Sequence, residues 1–269
     1  MSQVFDRIAV FGGVYNNYLS LEAVLADASA QGAQAIYCLG DVGGFGPHPD
    51  RAIEILRQRQ ITTIQGNYDQ SIGNDLADCQ CGYTDPRDNH FARISYEYTL
   101  AHTDDDHKRW LRALPAQLRL QLGDRRLLLA HGSPRKINEF LWESTTPAPF
   151  IRRLLDDHDA DLILVTHTGL PWARALDDDP ARGLVNVGAI GRPANDGDTR
   201  VDYALLSAPA APGLPAQIEL RKVAYDHLLL AAQMRAEALP EEFVQTILTG
   251  WWTTCMEIMP ARERARGKH

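Results

Sequence analysis

The chain has 269 residues, a formal net charge of −8 and 45% hydrophobic residues, which suffices for one well-buried domain and requires no second. The acidic balance argues against a broad nucleic-acid surface while leaving room for a local cationic pocket. No apolar stretch approaches a membrane span, and the opening Met1-Ser2-Gln3-Val4-Phe5 lacks a signal-peptide pattern, so a cytoplasmic location is expected.

In chain order, Ile8-Ala9-Val10-Phe11 predicts a strand, followed by the loop Gly12 to Asn17. Leu21, Val24, Leu25 and Ala28 then recur at helical spacing, with Gly32 as the stop. A second strand ends at Leu39, a Gly/Pro-rich loop runs from Gly43 to Pro49, and a helix covers Arg51 to Arg57. Strand, loop and helix in alternation indicate a layered α/β fold with parallel pairing. The segment from Asp69 to Pro115 reads as more helical and polar, covering one edge of the sheets. A second βα half spans Leu118 to Leu206, with short strands at Val185-Asn186 and Tyr203 to Leu206. Ala208 to Pro215 is a surface connection, Ile218 to Val223 a strand, and Asp226 to Ala236 and Glu241 to Leu248 are helical. The basic end, Ala261 to His269, is expected to fray. No repeat of fixed period is present.

Four polar residues each stand just after an apolar run, where α/β proteins gather functional groups from separate strands. Ala35 to Leu39 leads to Gly40-Asp41, Thr62 to Ile64 to Gly66-Asn67, Leu127 to Ala130 to His131-Gly132, and Leu162 to Val165 to Thr166-His167. One carboxylate, one amide oxygen and two imidazoles suit a single divalent ion such as manganese, zinc or ferrous iron. Taken singly, each residue reads better as a cap, a turn residue or a satisfied histidine. As an ordered set of four they point to a metal.

The four cysteines do not make a disulfide framework in a chain of this size. Cys38 reads as a small core residue. Cys79 and Cys81, one residue apart, are of a kind that binds metal or responds to oxidants, although two thiols in a surface loop is the favoured reading. Trp251-Trp252 reads as an apolar strap packed on the body.

With these residues in place, the chain resembles the calcineurin-like metallophosphoesterases, in particular the small bacterial diadenosine-tetraphosphatase-like type. The likeness runs from Ile8 to about Tyr225 and rests on Leu21-Glu22-Ala23-Val24-Leu25, Gly40-Asp41, Phe45-Gly46-Pro47, Gly66-Asn67, His131-Gly132-Ser133-Pro134 and Asn186-Val187-Gly188. It implies a four-layer α/β/β/α sandwich over residues 1–225, with 226–269 as a helical extension packed on the same domain.

The family site holds two metals that share one Asp. By resemblance Asp41 is that Asp, and Asn67, His131 and His167 are the remaining ligands of one metal. The private ligands of the other metal fall at Gly13, Tyr15 and Gly169, and the family's catalytic His falls at Tyr68. The Gly before the last ligand is Thr166. The resemblance therefore implies one metal. The rings of Tyr15 and Tyr68 are expected to fill the vacated space, with one hydroxyl donating to Asp41, and Tyr68 is the candidate acid. Asn17 matches a family position near the metals and is a candidate substrate contact, although a helix cap is its plainer reading.

The expected function is a phosphoester hydrolase of weak or altered activity acting on a small phosphorylated ligand. The alternative is a non-catalytic protein that binds a metal, a nucleotide or a partner. New chemistry at the single metal is a third, less favoured reading. Substrate and oligomeric state are not legible in the residues.

Overall fold

The computed structural model describes residues 4–265. Two sheets face each other. The first has the order β1 (Val4–Phe5), β5 (Gln117–Leu122), β6 (Arg125–Ala130), β7 (Leu162–Val165), β9 (Asp179–Asn186) and β8 (Trp172–Leu176). The second runs β11 (Gln217–Val223), β10 (Val201–Ser207), β2 (Arg7–Phe11), β3 (Ala35–Cys38) and β4 (Thr62–Thr63).

Side-chain alternation along each strand builds the layers. Ile8 and Val10 of β2 point into the space between the sheets, where they join Leu127 and Leu129 of β6 and Leu162 and Leu164 of β7. Their neighbours Ala9 and Phe11 face outward onto α1 (Tyr18–Ala30) and α2 (Pro49–Gln58), burying Leu21, Val24, Leu25, Ile53 and Leu56. On the opposite outer face Leu128, Ala130, Ile163 and Val165 pack against Ile151, Leu154 and Leu155 of α6 (Ala148–Asp157). The α/β/β/α sandwich follows from this two-faced burial.

The central strands are parallel, β2 with β3, β3 with β4, β6 with β7 and β7 with β9, so the loops after β2, β3, β4, β6 and β7 leave their sheets at carboxyl ends. The middle segment supplies α3 (Asn67–Gly73), α4 (Pro86–Ala101) and α5 (Asp105–Arg112). After β11 come α7 (His227–Ala236) and α8 (Glu241–Thr249), whose Leu230, Met234, Phe243 and Ile247 pack with Tyr15, Phe45 and Ala189.

Several boundaries differ from the sequence reading. β1 was not anticipated, because two residues carry no periodicity. β9 is eight residues long where only its buried end, Val185-Asn186, is apolar enough to be seen. Ala261–Ala265 form the helix α9, with Glu263 buried and accepting from the Ser144 backbone N–H and hydroxyl, so this part of the basic end is anchored. Residues 266–269, which carry the rest of that expectation, lie outside the described residues. Among the described residues no helix is long and apolar enough to cross a membrane.

Candidate metal centre

The loops after β3, β4, β6 and β7 converge. Gly40 and Gly66 allow two of them to touch backbone to backbone: a Cβ at Gly40 would lie 2.3 Å from the Gly66 nitrogen, and one at Gly66 would lie 2.3 Å from both the Asp41 nitrogen and its Oδ1. Asp41 itself adopts a left-handed backbone (φ +52), a costly conformation for a non-glycine residue that the surrounding packing must hold in place.

Asp69 supplies much of that packing. Its Oδ2 accepts the backbone N–H groups of Asp41 and Gly66, each at 2.8 Å, and its Oδ1 accepts that of Val42 at 2.9 Å. Burial and the adjacent Asp41 carboxylate push Asp69 up to about 6, against the pull of those N–H donors. The sequence reading gave Asp69 no role, although a carboxylate three residues after Gly66 at the start of α3 is a recognisable helix-start signal.

Asp41, His131 and His167 offer donor atoms that all lie within 4.8 Å of one another. His131 Nδ1 is 2.7 Å from the Leu39 carbonyl, which can only accept, so this nitrogen carries the proton and Nε2 is the free donor. His131 Nε2 then stands 3.3 Å from Asp41 Oδ2 and 3.1 Å from His167 Nδ1. Two ligands about 2.1 Å from one ion at near-tetrahedral to right angles are separated by roughly 3.0–3.4 Å, so these spacings are those of neighbours in a coordination sphere. The His167 backbone is fixed to the same strand end, its N–H and that of Thr166 both donating to the His131 carbonyl at 3.1 and 2.9 Å.

Asn67, next in sequence to Tyr68, whose N–H reaches Asp41, is a candidate donor on a different ground. Its Nδ2 donates to the Cys79 carbonyl at 2.9 Å and contacts Cys81 Sγ at 3.5 Å. That leaves Oδ1 buried without a partner. A fully buried amide oxygen with nothing to accept from is costly in a protein interior and is what a metal would satisfy. The donor set, a carboxylate, an amide oxygen and two imidazoles, fits a divalent ion of the zinc, manganese or iron type.

The electrostatics couple Asp41 and His131 as an ion pair, whose proton a metal would have to displace, and leave His167 neutral. Burial works to raise Asp41, but the His131 charge and hydrogen bond, with His167, outweigh it and hold the carboxyl below its usual range. Burial works to lower His131, and Asp41 overcomes it and raises that ring. For His167 burial and the His131 charge prevail, lowering it to about 3, so the ring is neutral and available to a metal. His167 Nε2 has no hydrogen bond of ordinary geometry, although the Cys81 carbonyl is close enough to favour the protonated ring. Phe140 covers the imidazole, centroid to centroid at 4.5 Å.

Beside this cluster the space is filled. A Cβ at Gly13 would lie 2.8 Å from the Ala189 Cβ and 2.9 Å from the Tyr15 ring, and φ at Gly13 is +53. Tyr15 packs edge-on against Phe45 at 5.2 Å. A Cβ at Gly169 (φ +70) would lie 3.5 Å from the edge of Trp252, whose ring face is covered by the Arg192 guanidinium at 3.4 Å. The expected strap therefore reaches the site itself. Arg192 and Trp252 were both missed as site neighbours, because contacts between residues so far apart leave no local pattern.

Four expectations are corrected. The Tyr68 ring does not face Asp41. Its hydroxyl donates to Ser95 Oγ at 3.2 Å, with the Ala92 carbonyl at 3.4 Å, because the phase of α3 turns the ring onto α4, and only its backbone N–H reaches Asp41 Oδ1, at 3.0 Å. Burial pushes its phenol well above 10, so Tyr68 is a poor acid at neutral pH. Asn17 is fully buried as the cap of α1, its Oδ1 accepting from Ser20 N at 3.0 Å and its Nδ2 donating to the Gly191 carbonyl at 3.2 Å, which leaves nothing for a substrate. Cys79 and Cys81 are joined by a disulfide and buried against Asn67, in place of two surface thiols.

Residues 7–209 match the model of the calcineurin-like phosphoesterase superfamily domain, and the chain belongs to that superfamily, whose members are metal-dependent. It is 24% identical over 262 residues to an uncharacterized protein of Methanocaldococcus jannaschii, covering 92% of this chain and 99% of that one. Among solved structures, a metallophosphoesterase from Sphaerobacter thermophilus is 29% identical, with a TM-score of 0.69 over 91% of this chain and 99% of its own. A hypothetical protein from Pyrococcus horikoshii, 21% identical, shares the fold with a TM-score of 0.74 over 93% of this chain and all of its own (100%).

Proposed function

We propose that the protein binds a single divalent ion, manganese, zinc or ferrous iron, through Asp41, Asn67, His131 and His167, and that it is a phosphoester hydrolase of low or altered activity. The observation that carries this reading is the contrast between two adjoining spaces. In one, the donor atoms of Asp41, His131 and His167 converge and the buried Asn67 amide oxygen of the neighbouring loop lacks a partner; the other is occupied by Tyr15 and Trp252.

Asp41, Asn67, His131 and His167 would hold the ion, which would supply polarisation of a phosphoryl oxygen and a water of lowered pKa. The chain's own residues add orientation. Tyr68 N–H fixes one Asp41 oxygen, Leu39 fixes the His131 tautomer, and Cys79 fixes the Asn67 amide. With Tyr68 turned away and Tyr15 also raised by burial, both phenols keep their protons at neutral pH and are poor acids toward a leaving group. Losing a second cation and an acid removes several kcal/mol of transition-state stabilisation, and about 1.4 kcal/mol is a factor of ten in rate. The ligand is a small phosphorylated molecule, a choice supported by the net charge of −8, which disfavours a broad nucleic-acid surface.

A second reading, metal binding without turnover, is favoured by the burial of Asp41, Asn67 and His131 and by the Phe140 ring packed on His167. Activated phosphomonoester and phosphodiester substrates with added manganese separate the two. Slow turnover abolished in His131→Ala supports the hydrolase. Bound metal with no turnover above background supports the second reading.

A further inference from the structure

The Cys79–Cys81 disulfide joins two residues with one between them, and its segment borders two of the residues to which the preceding reading assigns a metal. The Cys79 carbonyl accepts from Asn67 Nδ2 at 2.9 Å, Cys81 Sγ lies 3.5 Å from the same nitrogen, and the Cys81 backbone faces His167. The segment is held from outside as well. Gln80 (φ +50) turns over an Asp78 side chain that accepts its N–H at 2.8 Å, and Asn138 Nδ2 donates to the Gln80 carbonyl at 2.7 Å.

Stapling does not account for this bond. The stabilisation a cross-link gives by restricting the unfolded chain grows with the length of the loop it closes, and this loop is about as short as a disulfide permits. The other two cysteines, Cys38 and Cys255, are free and buried, so the pair is not part of a wider framework. Although both half-cystines are largely buried, they line a surface depression of about 390 Å³ together with Gln80, Tyr83, Asn89 and Asn138. A thiol reagent entering there meets the Cys79–Cys81 segment, and the Asn67 amide nitrogen lies 3.5 Å from Cys81 Sγ.

The structure assigns to Cys79 and Cys81 a reversible dithiol–disulfide centre that sets the affinity of the metal site, with a dithiol as its co-substrate. In the reducing direction one thiolate of that dithiol attacks a sulfur of the pair, the S–S bond breaks, and a mixed disulfide forms. The second thiol of the reagent then displaces it. Two electrons and two protons pass to Cys79 and Cys81, and the reagent leaves as its own disulfide. The reverse exchange restores the bond. In the oxidised form the three-residue ring fixes the Cys79 carbonyl that accepts from Asn67 Nδ2, and so sets the orientation of the amide whose Oδ1 has no protein partner. In the reduced form that ring opens, and the amide loses its fixed acceptor.

This assignment rests on the metal reading, and the test keeps the two apart. Protein purified in air without reductant is denatured and its thiols are titrated. Two are expected, Cys38 and Cys255, rising to four after dithiothreitol. The oxidised form and the reduced form (desalted anaerobically) are then titrated with manganese. Loss of an outer-shell partner typically weakens metal binding roughly 10–100-fold, and a fall of that size on reduction is expected. The Cys79→Ser/Cys81→Ser variant, with its fold checked by circular dichroism, is expected to bind as weakly as the reduced form whatever the redox buffer. Four thiols in the air-purified protein, or equal manganese affinity in both forms, would overturn the assignment while leaving the metal reading intact. Absence of manganese from both forms would overturn the metal reading and this one with it.

Discussion

The Trp252 ring stands over Gly169. A Cβ added at Gly169 would come within 3.5 Å of the ring edge, and the indole is pinned there by its Nε1 donating to the Pro193 carbonyl at 2.6 Å and by its backbone N–H donating to Asn195 Oδ1 at 2.8 Å. A residue beyond the matched family segment thus fills space beside the ligand cluster. Arg192 adds a buried cation over the same ring and over Phe45 and Tyr15, at 3.4, 4.9 and 5.6 Å from their centroids.

Restoring the ligands that the family places at these positions should therefore fail on its own. Gly13→Asp/Tyr15→His/Gly169→His meets left-handed backbone at 13 and 169 and the indole of Trp252. We expect this triple variant to hold no second metal, and addition of Trp252→Ala to allow one if the variant folds. Elemental analysis reads the outcome. Two metals in the triple variant would contradict the filling role of Trp252.

Asp69 should matter more than its distance from the chemistry suggests. Asp69→Ala leaves three buried backbone N–H groups without acceptors, each costing roughly 1–3 kcal/mol unless water replaces the carboxylate. A loss of about 3–5 kcal/mol in urea unfolding is expected, together with weaker metal binding. A change below about 1 kcal/mol would mean that Asp69 does not hold the Asp41 loop.

Stability should fall with rising pH through the titration of Asp202. Burial pushes this carboxyl from 3.8 up to about 6, with the Lys222 charge opposing, and its Oδ2 has no partner. Below about pH 4 both folded and unfolded states carry the proton; between about 4 and 6 only the folded state retains it. The unfolded state then binds fewer protons, so unfolding becomes easier as pH rises, by on the order of 3 kcal/mol in all. Asp202→Asn should flatten this part of the profile and leave the protein no less stable at pH 8. A variant that is less stable at pH 8, with the slope unchanged, would contradict the assignment.

The parts of the fold legible in the sequence were those where burial is two-faced and local. Strands such as Leu127 to Ala130 and Leu162 to Val165 are apolar on both sides because they lie between sheet and helix, and the ligand that follows each is placed by the strand's end. The same logic found Asp41, Asn67, His131 and His167, and the structure brings the donor atoms of Asp41, His131 and His167 together and leaves Asn67 Oδ1 buried without a partner. What failed depended on helix phase or on distant contacts. The position of Tyr68 suggested a ring in the site, whereas one turn of α3 sends it to Ser95. The spacing of Cys79 and Cys81 could not distinguish two thiols from one disulfide. Nothing near Gly169 in the sequence announces Trp252.

The count of divalent ions per chain tests the central claim most directly. Protein loaded with manganese or zinc, freed of excess and measured by elemental analysis together with its His131→Ala and Asn67→Ala variants, is expected to carry one ion per chain, lost in His131→Ala and weakened in Asn67→Ala. Two ions per chain, or one that survives His131→Ala undiminished, would contradict the account.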